Sequence, residues 1–250
     1  MSVVRSAFHD ECDRLGTVLR TLDRADLDRP TRCAPWTVAD LLAHVRTGAG
    51  RLADMLRATV PGPAEVGAAG YFAAAKFLPE VDAARIESAR VESARVESAR
   101  VEAARVEAAR GGAASGSAGS SSDRPGAVLA ADFDRAWRAT LAAVDAHPAD
   151  RVVRTRHGDA MTVPEFLRTR VVEVGVHGLD LAEALDRPPW LTPTAARVIG
   201  DLLTGGRALP ADLGWDRLTL IRKATGRSPR SRAEQDALDA AGIRLLAFGG

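Results

Sequence analysis

Apolar residues recur at near-helical spacing through residues 3 to 22, where Val3, Val4, Phe8, Cys12, Leu15, Val18, Leu19 and Leu22 alternate with charge. That period predicts a first amphipathic helix. In RCAPWTVADLLAHVRTGAGRLADMLRA, Pro35 ends the preceding segment, Thr37 can cap, and Asp40 three residues on resembles a shortened capping box, so a second helix is expected over about 38–58. LAADFDRAWRATLAAVDAH (129–147) and VPEFLRTRVVEVGVHGLDLAEAL (163–185) carry the same period and predict a third and a fourth. Two helices on each side of a long excursion make a mainly α protein, a four-helix bundle with one long crossover.

The excursion has its own pattern. Residues 81–110 read VDAAR, IESAR, VESAR, VESAR, VEAAR, VEAAR, six copies of one pentad. Alanine, glutamate and arginine favour helix, and pairs such as Glu87 with Arg90 support it, giving a segment about 45 Å long. A period of five advances roughly 500° around a helix, so Val91, Val96, Val101 and Val106 spiral instead of forming a seam, which argues against a coiled coil. An exposed or loosely docked helix, born of a duplicated coding repeat, is the expectation, with recruitment of a protein partner as the alternative. GGAASGSAGSSSDRPG, residues 111–126, reads as a flexible linker. After Pro188 and Pro189, TPTAARVIGDLLTGG predicts another short helix, and the remainder a short strand and a terminal helix that cover a bundle end. The expected organisation is therefore a bundle over 1–205, interrupted by the repeat and linker, and a small C-terminal extension over 206–250.

Composition narrows the classes. A chain of 250 residues can bury a full core and needs no staples. Cys12 and Cys33 form no CxxC pair, charge appears within the first five residues, and no window approaches 18 apolar residues. A cytoplasmic protein, off the membrane, is expected. The net charge of +1 provides no field for nucleic acid, and the arginine clusters RVVRTRHG and RKATGRSPRSR read as solvated surface.

The chemistry concentrates in VVEVGVHGLD, residues 171–180. Its valines suggest a strand, but the periodic segment is too long for one. On a helix, with Glu173 at zero, Arg170, His177 and Asp180 fall near about 60°, 40° and −20°, a single polar stripe on an apolar rod. Such a helix is buried, and buried ionisable groups need partners or a metal. A histidine satisfied within the core by Glu173 or Asp180 is the simpler reading of His177. His44, however, sits in the second helix among Leu41, Leu42 and Val45. Glu173 and His177 at i,i+4 with His44 from a facing helix form a two-histidine, one-carboxylate set suited to Zn²⁺, other divalent metals being open. Asp180 or Asp40 can hold a ring N–H behind the ligands. Arg170 can orient a substrate carboxylate or pair with Asp180, Arg168 faces elsewhere, and Cys33 approaches the pocket without an assigned role. Trp36 can line the bundle mouth, where a cosubstrate would bind, or anchor the helix start.

APWTVADLLAHV and MTVPEFLRTRVVEVGVHGLDLAEAL resemble the two signature regions of the mycothiol-dependent maleylpyruvate isomerase family, among the DinB-like metal-binding four-helix bundles. In that family the histidine of W-x-V-x-D-L-x-x-H and the glutamate and histidine of R-x-x-E-x-x-x-H-x-x-D bind zinc, which falls here on His44, Glu173 and His177; Arg170 and Asp180 match positions that recur beside them. The resemblance spans most of 5–60 and 128–205, and ATGRSPRSRAEQDAL looks like the ending of some members. Residues 81–126 have no recognised counterpart, nor does the isomerase's full C-terminal domain, so the fold transfers more safely than maleylpyruvate specificity.

The resemblance implies mycothiol as a thiol cosubstrate, activated at zinc, adding to a small electrophilic molecule for isomerisation or S-transfer by a monomer or homodimer. Two other readings stand beside it: a zinc hydrolase or lyase with no thiol, and a metal-stabilised scaffold. The split pattern makes one prediction. Removing residues 82–125 and joining the ends with a short linker should leave the helicity of the rest intact, as measured by circular dichroism; collapse of that helicity would place the insert inside the core.

Overall fold

The computed structural model describes residues 2–72, 91 and 125–246. The pentad repeat, apart from Val91, and the linker up to residue 124 lie outside the described residues. The architecture is mainly α, a four-helix bundle with added short elements. Its helices are α1 (Ser2–Leu19), α3 (Val38–Met55), α5 (Pro125–Asp145) and α6 (Val163–Ala184), with the short α2 (Arg24–Leu27) and α4 (Ala68–Tyr71) in the connections. Each of α1 and α3 packs against both α5 and α6, so α1 and α3 stand on one diagonal of the bundle and α5 and α6 on the other.

Local chemistry explains the boundaries. α3 starts where Thr37 and Asp40 form a reciprocal capping box, and it ends at Met55, three residues short of the expected limit. α5 starts at Pro125, inside the segment read as linker. Proline is tolerated in a first helical turn, and Gly126 is held there by contact: a Cβ would lie 2.2 Å from the Leu19 carbonyl oxygen and 2.5 Å from that of Leu22. α5 is then tied to α3 by the Thr140 hydroxyl donating to the Ala49 carbonyl at 2.6 Å and by Arg46 with Asp132 at 2.7 Å.

α6 is buried on nearly every side, which accounts for its valine-rich circumference. Beyond α1 and α3 it meets α7 (Pro193–Thr204), whose approach is so close that a Cβ at Gly175 would lie 2.8 Å from Ile199 Cδ1. The tail differs from expectation. The segment read as a strand is helix α8 (Arg217–Ala224), capped by Asp216, whose carboxylate accepts from the Thr219 N–H at 2.7 Å. Its buried Leu220, Ile221 and Ala224 follow a helical period that the adjacent Leu218 obscures in sequence. Helix α9 (Arg232–Ala240) follows, as expected.

A feature absent from the sequence reading is a two-stranded antiparallel hairpin, β1 (Val152–Arg154) and β2 (Ala160–Thr162), pairing Val153 with Met161. Strands of three residues, one inside an arginine cluster, leave too little alternation to detect. The hairpin anchors the crossover, since Ala160 accepts from the Glu65 N–H at 2.8 Å and donates its own N–H to the Glu65 carboxylate at 2.9 Å. Glu165, in the first turn of α6, accepts from the Ala68 N–H at 2.8 Å, which seats α4 against α6. Among the described residues no helix is long and apolar enough to cross a membrane.

One buried carboxyl lies on α1 where it meets the start of α7. Glu11 is 1% exposed, with Oε2 accepting from the Thr192 N–H and hydroxyl at the start of α7. Burial pushes its carboxyl up to about 7 despite those donors. Because the folded state holds this proton more tightly than the unfolded chain, its stabilising contribution is complete below about pH 4.5 and is lost as pH rises through about 7, a change of about 3 kcal/mol. Glu11→Gln should remove this component when unfolding by denaturant is compared at pH 5 and pH 8; equal pH dependence in both proteins would refute it.

Candidate metal centre

His44 projects from the middle of α3, two turns past its cap, while Glu173 and His177 lie one turn apart on α6. The packing of α3 against α6 brings their polar atoms together. His44 Nε2 lies 2.5 Å from Glu173 Oε1, and His177 Nε2 lies 4.0 Å from the same oxygen. The two imidazoles meet edge to face, 5.3 Å between centroids, and the three donor atoms all fall within 4.8 Å of one another. Gly48, one turn beyond His44, admits this approach: a Cβ there would sit 3.2 Å from Arg170 Nη1 and 3.6 Å from Glu173 Cγ.

Burial opposes the charge on Glu173, but Arg170, His44 and His177 outweigh it and hold the carboxyl well below its usual range. Arg170 is 3% exposed. Its Nη2 lies 3.6 Å from Glu173 Oε2 and donates to the Tyr71 hydroxyl at 3.2 Å, its Nε donates to Thr169 Oγ1, and its guanidinium lies over the Phe166 ring. The alternative pairing of Arg170 with Asp180 does not form. Ten residues separate them, which is about 15 Å along a helix, so sharing a stripe does not bring them into contact.

Asp180 instead stands behind His177. Its Oδ2 is 2.9 Å from His177 Nδ1, and Arg227, from the turn after α8, donates to both carboxylate oxygens at 2.8 and 2.6 Å. Burial works against its charge, yet the hydrogen bonds from His177 and Arg227 keep the carboxyl lowered. Asp40, the other candidate for this position, is committed to the α3 cap. Arg168 pairs with Glu165 on the outer face, as its position on the helix required. Trp36 is 7% exposed and stacks against His44 with centroids 4.8 Å apart, so it walls the site as well as anchoring the helix start. Cys33 donates its thiol to Asp180 Oδ2 at 3.4 Å; burial, reinforced by Asp180, pushes that thiol up to about 12.

The sequence reading missed Arg227 and Tyr71. Arg227 belongs to RKATGRSPRSR, read as solvated surface; the likeness of ATGRSPRSRAEQDAL to the ending of some family members is the one signal there, and it does not tell which arginine turns inward. Tyr71, the one tyrosine of the chain, lies in the crossover outside any long periodic segment.

Two imidazole nitrogens and a carboxylate oxygen, converging from two rigid helices with the carboxylate ionised, suit a divalent metal such as zinc with coordination positions left for other ligands. The fold and this donor set define a DinB-like helical bundle with a potential metal-binding cluster in its core. Residues 8–119 and 82–182 match, in two overlapping stretches, the family model of the mycothiol maleylpyruvate isomerase N-terminal domain, and the chain belongs to that family.

A crystal structure of the mycothiol-dependent maleylpyruvate isomerase superposes with a TM-score of 0.50 at 16% identity, covering 80% of this chain and 68% of that one. A histidine-to-alanine mutant of such an isomerase superposes with a TM-score of 0.45 at 14% identity over the same shares. At 16% identity the likeness to the first concerns the fold. No curated protein matches the chain.

The donor geometry predicts about one divalent ion per chain in metal analysis of purified protein. His44→Ala and His177→Ala should each abolish stoichiometric zinc binding. Full occupancy in both variants would remove this cluster as the binding site.

Proposed function

We propose that the protein is a metal-dependent thiol transferase or isomerase that uses mycothiol on a small electrophilic substrate. The observation that carries this reading is the convergence of His44, Glu173 and His177 in the bundle core of a member of this family. Zinc held by these three residues would supply Lewis-acid charge that favours the ionised form of a thiol at neutral pH.

The chain's own residues prepare the site for that cosubstrate. Arg170 neutralises Glu173 from behind and keeps it available as an anionic ligand. In this reading it acts through Glu173, with Tyr71 and Thr169 fixing its other nitrogens. Asp180 takes the N–H of His177 at Nδ1, which leaves Nε2 with its lone pair toward the centre. Trp36 shields the His44 side from water and offers an apolar wall to the incoming thiol. Cys33 stays protonated and does not compete as the nucleophile.

The thiol, having lost its proton, would bond through sulfur to an electrophilic carbon while the substrate's double bond opens and its electron pair moves onto the conjugated carbonyl. Rotation about the former double bond and expulsion of the same thiolate gives isomerisation; protonation of the carbanion retains the adduct. With an alkylating electrophile the C–S bond forms as the leaving group departs with its electron pair, which is S-transfer. Maleylpyruvate, the substrate named for the relative, is the first molecule to test, with small alkylating electrophiles beside it.

Zinc-loaded protein should consume one of these electrophiles only when mycothiol is present, and His177→Ala should lose that turnover. Turnover indifferent to the thiol would replace this reading with hydrolysis. Zinc-loaded protein inert toward the whole panel would leave the scaffold reading in its place.

A further inference from the structure

We propose that Arg227, contributed by the C-terminal extension, is a positioning residue of the candidate metal centre, holding His177 in its ligating orientation through Asp180. The proposal rests on the reading of His44, Glu173 and His177 as ligands, and concerns a residue outside the two sequence regions that carry them.

Arg227 touches none of the three donors. Its contacts are with the carboxylate that orients one of them. The Asp180 side chain is fully buried, with both oxygens engaged: Arg227 Nε donates to Oδ1 at 2.8 Å and Nη2 to Oδ2 at 2.6 Å, while Oδ2 also faces His177 Nδ1 at 2.9 Å and the Cys33 thiol at 3.4 Å. A two-point fork fixes the plane of a carboxylate as well as its place, which a point charge does not. With that plane fixed, Oδ2 is held against Nδ1. The His177 proton then resides on Nδ1, and the ring turns Nε2 toward Glu173 Oε1.

The turn after α8 is built to present this guanidinium. Gly226 adopts φ +71°, the Arg227 N–H donates to the Arg222 carbonyl at 2.7 Å, and Arg227 Nη1 donates to the Thr225 carbonyl at 2.6 Å. Thr225 Oγ1 in turn donates to the Ile221 carbonyl, and Arg32, from the loop before α3, donates to the Gly226 carbonyl at 2.9 Å. Arg32 also approaches Asp180, but its Nε stops 3.9 Å from Oδ1, too far to substitute for the fork. The extension packs on the bundle through Leu220, Ile221 and Ala224, and through Arg227 it also ends on the support of a ligand.

The test uses the full chain and zinc alone as probe, with affinity read by competition against a chromophoric chelator. Arg227→Gln should weaken zinc binding roughly 10- to 100-fold, and Arg227→Lys, which keeps the charge without the fork, should not restore it fully. In an Asp180→Ala background Arg227→Gln should cause no further loss, because the arginine then has nothing through which to act. Nitrogen NMR of the His177 ring should show a single Nδ1–H tautomer in the wild type and a mixture in Arg227→Gln. Should that variant fail to fold, the lysine variant is read by the same measurements.

Wild-type affinity with a single tautomer in a folded Arg227 variant would overturn the proposal. So would an equal loss with and without Asp180, which would mark a general packing effect. If the wild type binds no zinc, or His177→Ala binds it as tightly, the metal centre itself falls and this proposal with it. Loss in His177→Ala beside unchanged Arg227 variants overturns the positioning role alone.

Discussion

A carboxylate withdrawn from water costs several kcal/mol unless cations and hydrogen-bond donors replace its hydration. Glu173 is in that position, in the middle of the most buried helix of the bundle, and much of the structure is arranged around its charge. Arg170 compensates it from one side, and His44 meets it at 2.5 Å from the other. Gly48 gives up a side chain so that α3 can approach, and Tyr71 holds the arginine from the crossover. Tyr71 sits on α4, which Glu165 seats against α6, while the hairpin holds the crossover segment at Glu65. Small elements peripheral to the four long helices thus trace back to one buried charge.

What could be read without coordinates follows from the range over which each signal acts. The helices are visible because their burial is periodic along the chain, and α6 stands out because α1, α3 and α7 cover it together, so that Arg170, Glu173, His177 and Asp180 interrupt an otherwise apolar middle. The cluster of His44 with Glu173 and His177 was also legible, since i,i+4 spacing on one helix and an isolated core histidine on another are both local patterns. Contacts made across the chain were not. A helical wheel places Arg170 beside Asp180 in angle while ignoring the rise between them, and it says nothing of an arginine 47 residues further on. The hairpin is hidden because three-residue strands carry almost no period, and α8 because Leu218 and Leu220 mimic the alternation of a strand.

The polar side chains around the centre form two chains of support that meet at α6. One runs from Tyr71 through Arg170 to Glu173, the other from the α8 turn through Arg227 and Asp180 to His177. Each ends on a different donor and starts from a different part of the sequence, so the bundle, the crossover and the C-terminal residues converge on the same few atoms. Lys223 and Glu234, joined at 2.8 Å with Trp215 bonded to the same carboxylate, hold α8 and α9 together at the base of the second chain.

Gly126 decides which side chains the start of α5 can carry. Its backbone rests directly on α1, where a Cβ would lie 2.2 Å from the Leu19 carbonyl oxygen and 2.5 Å from that of Leu22. The register in which α5 enters the bundle is therefore the one this contact allows, and a single methyl group is enough to forbid it.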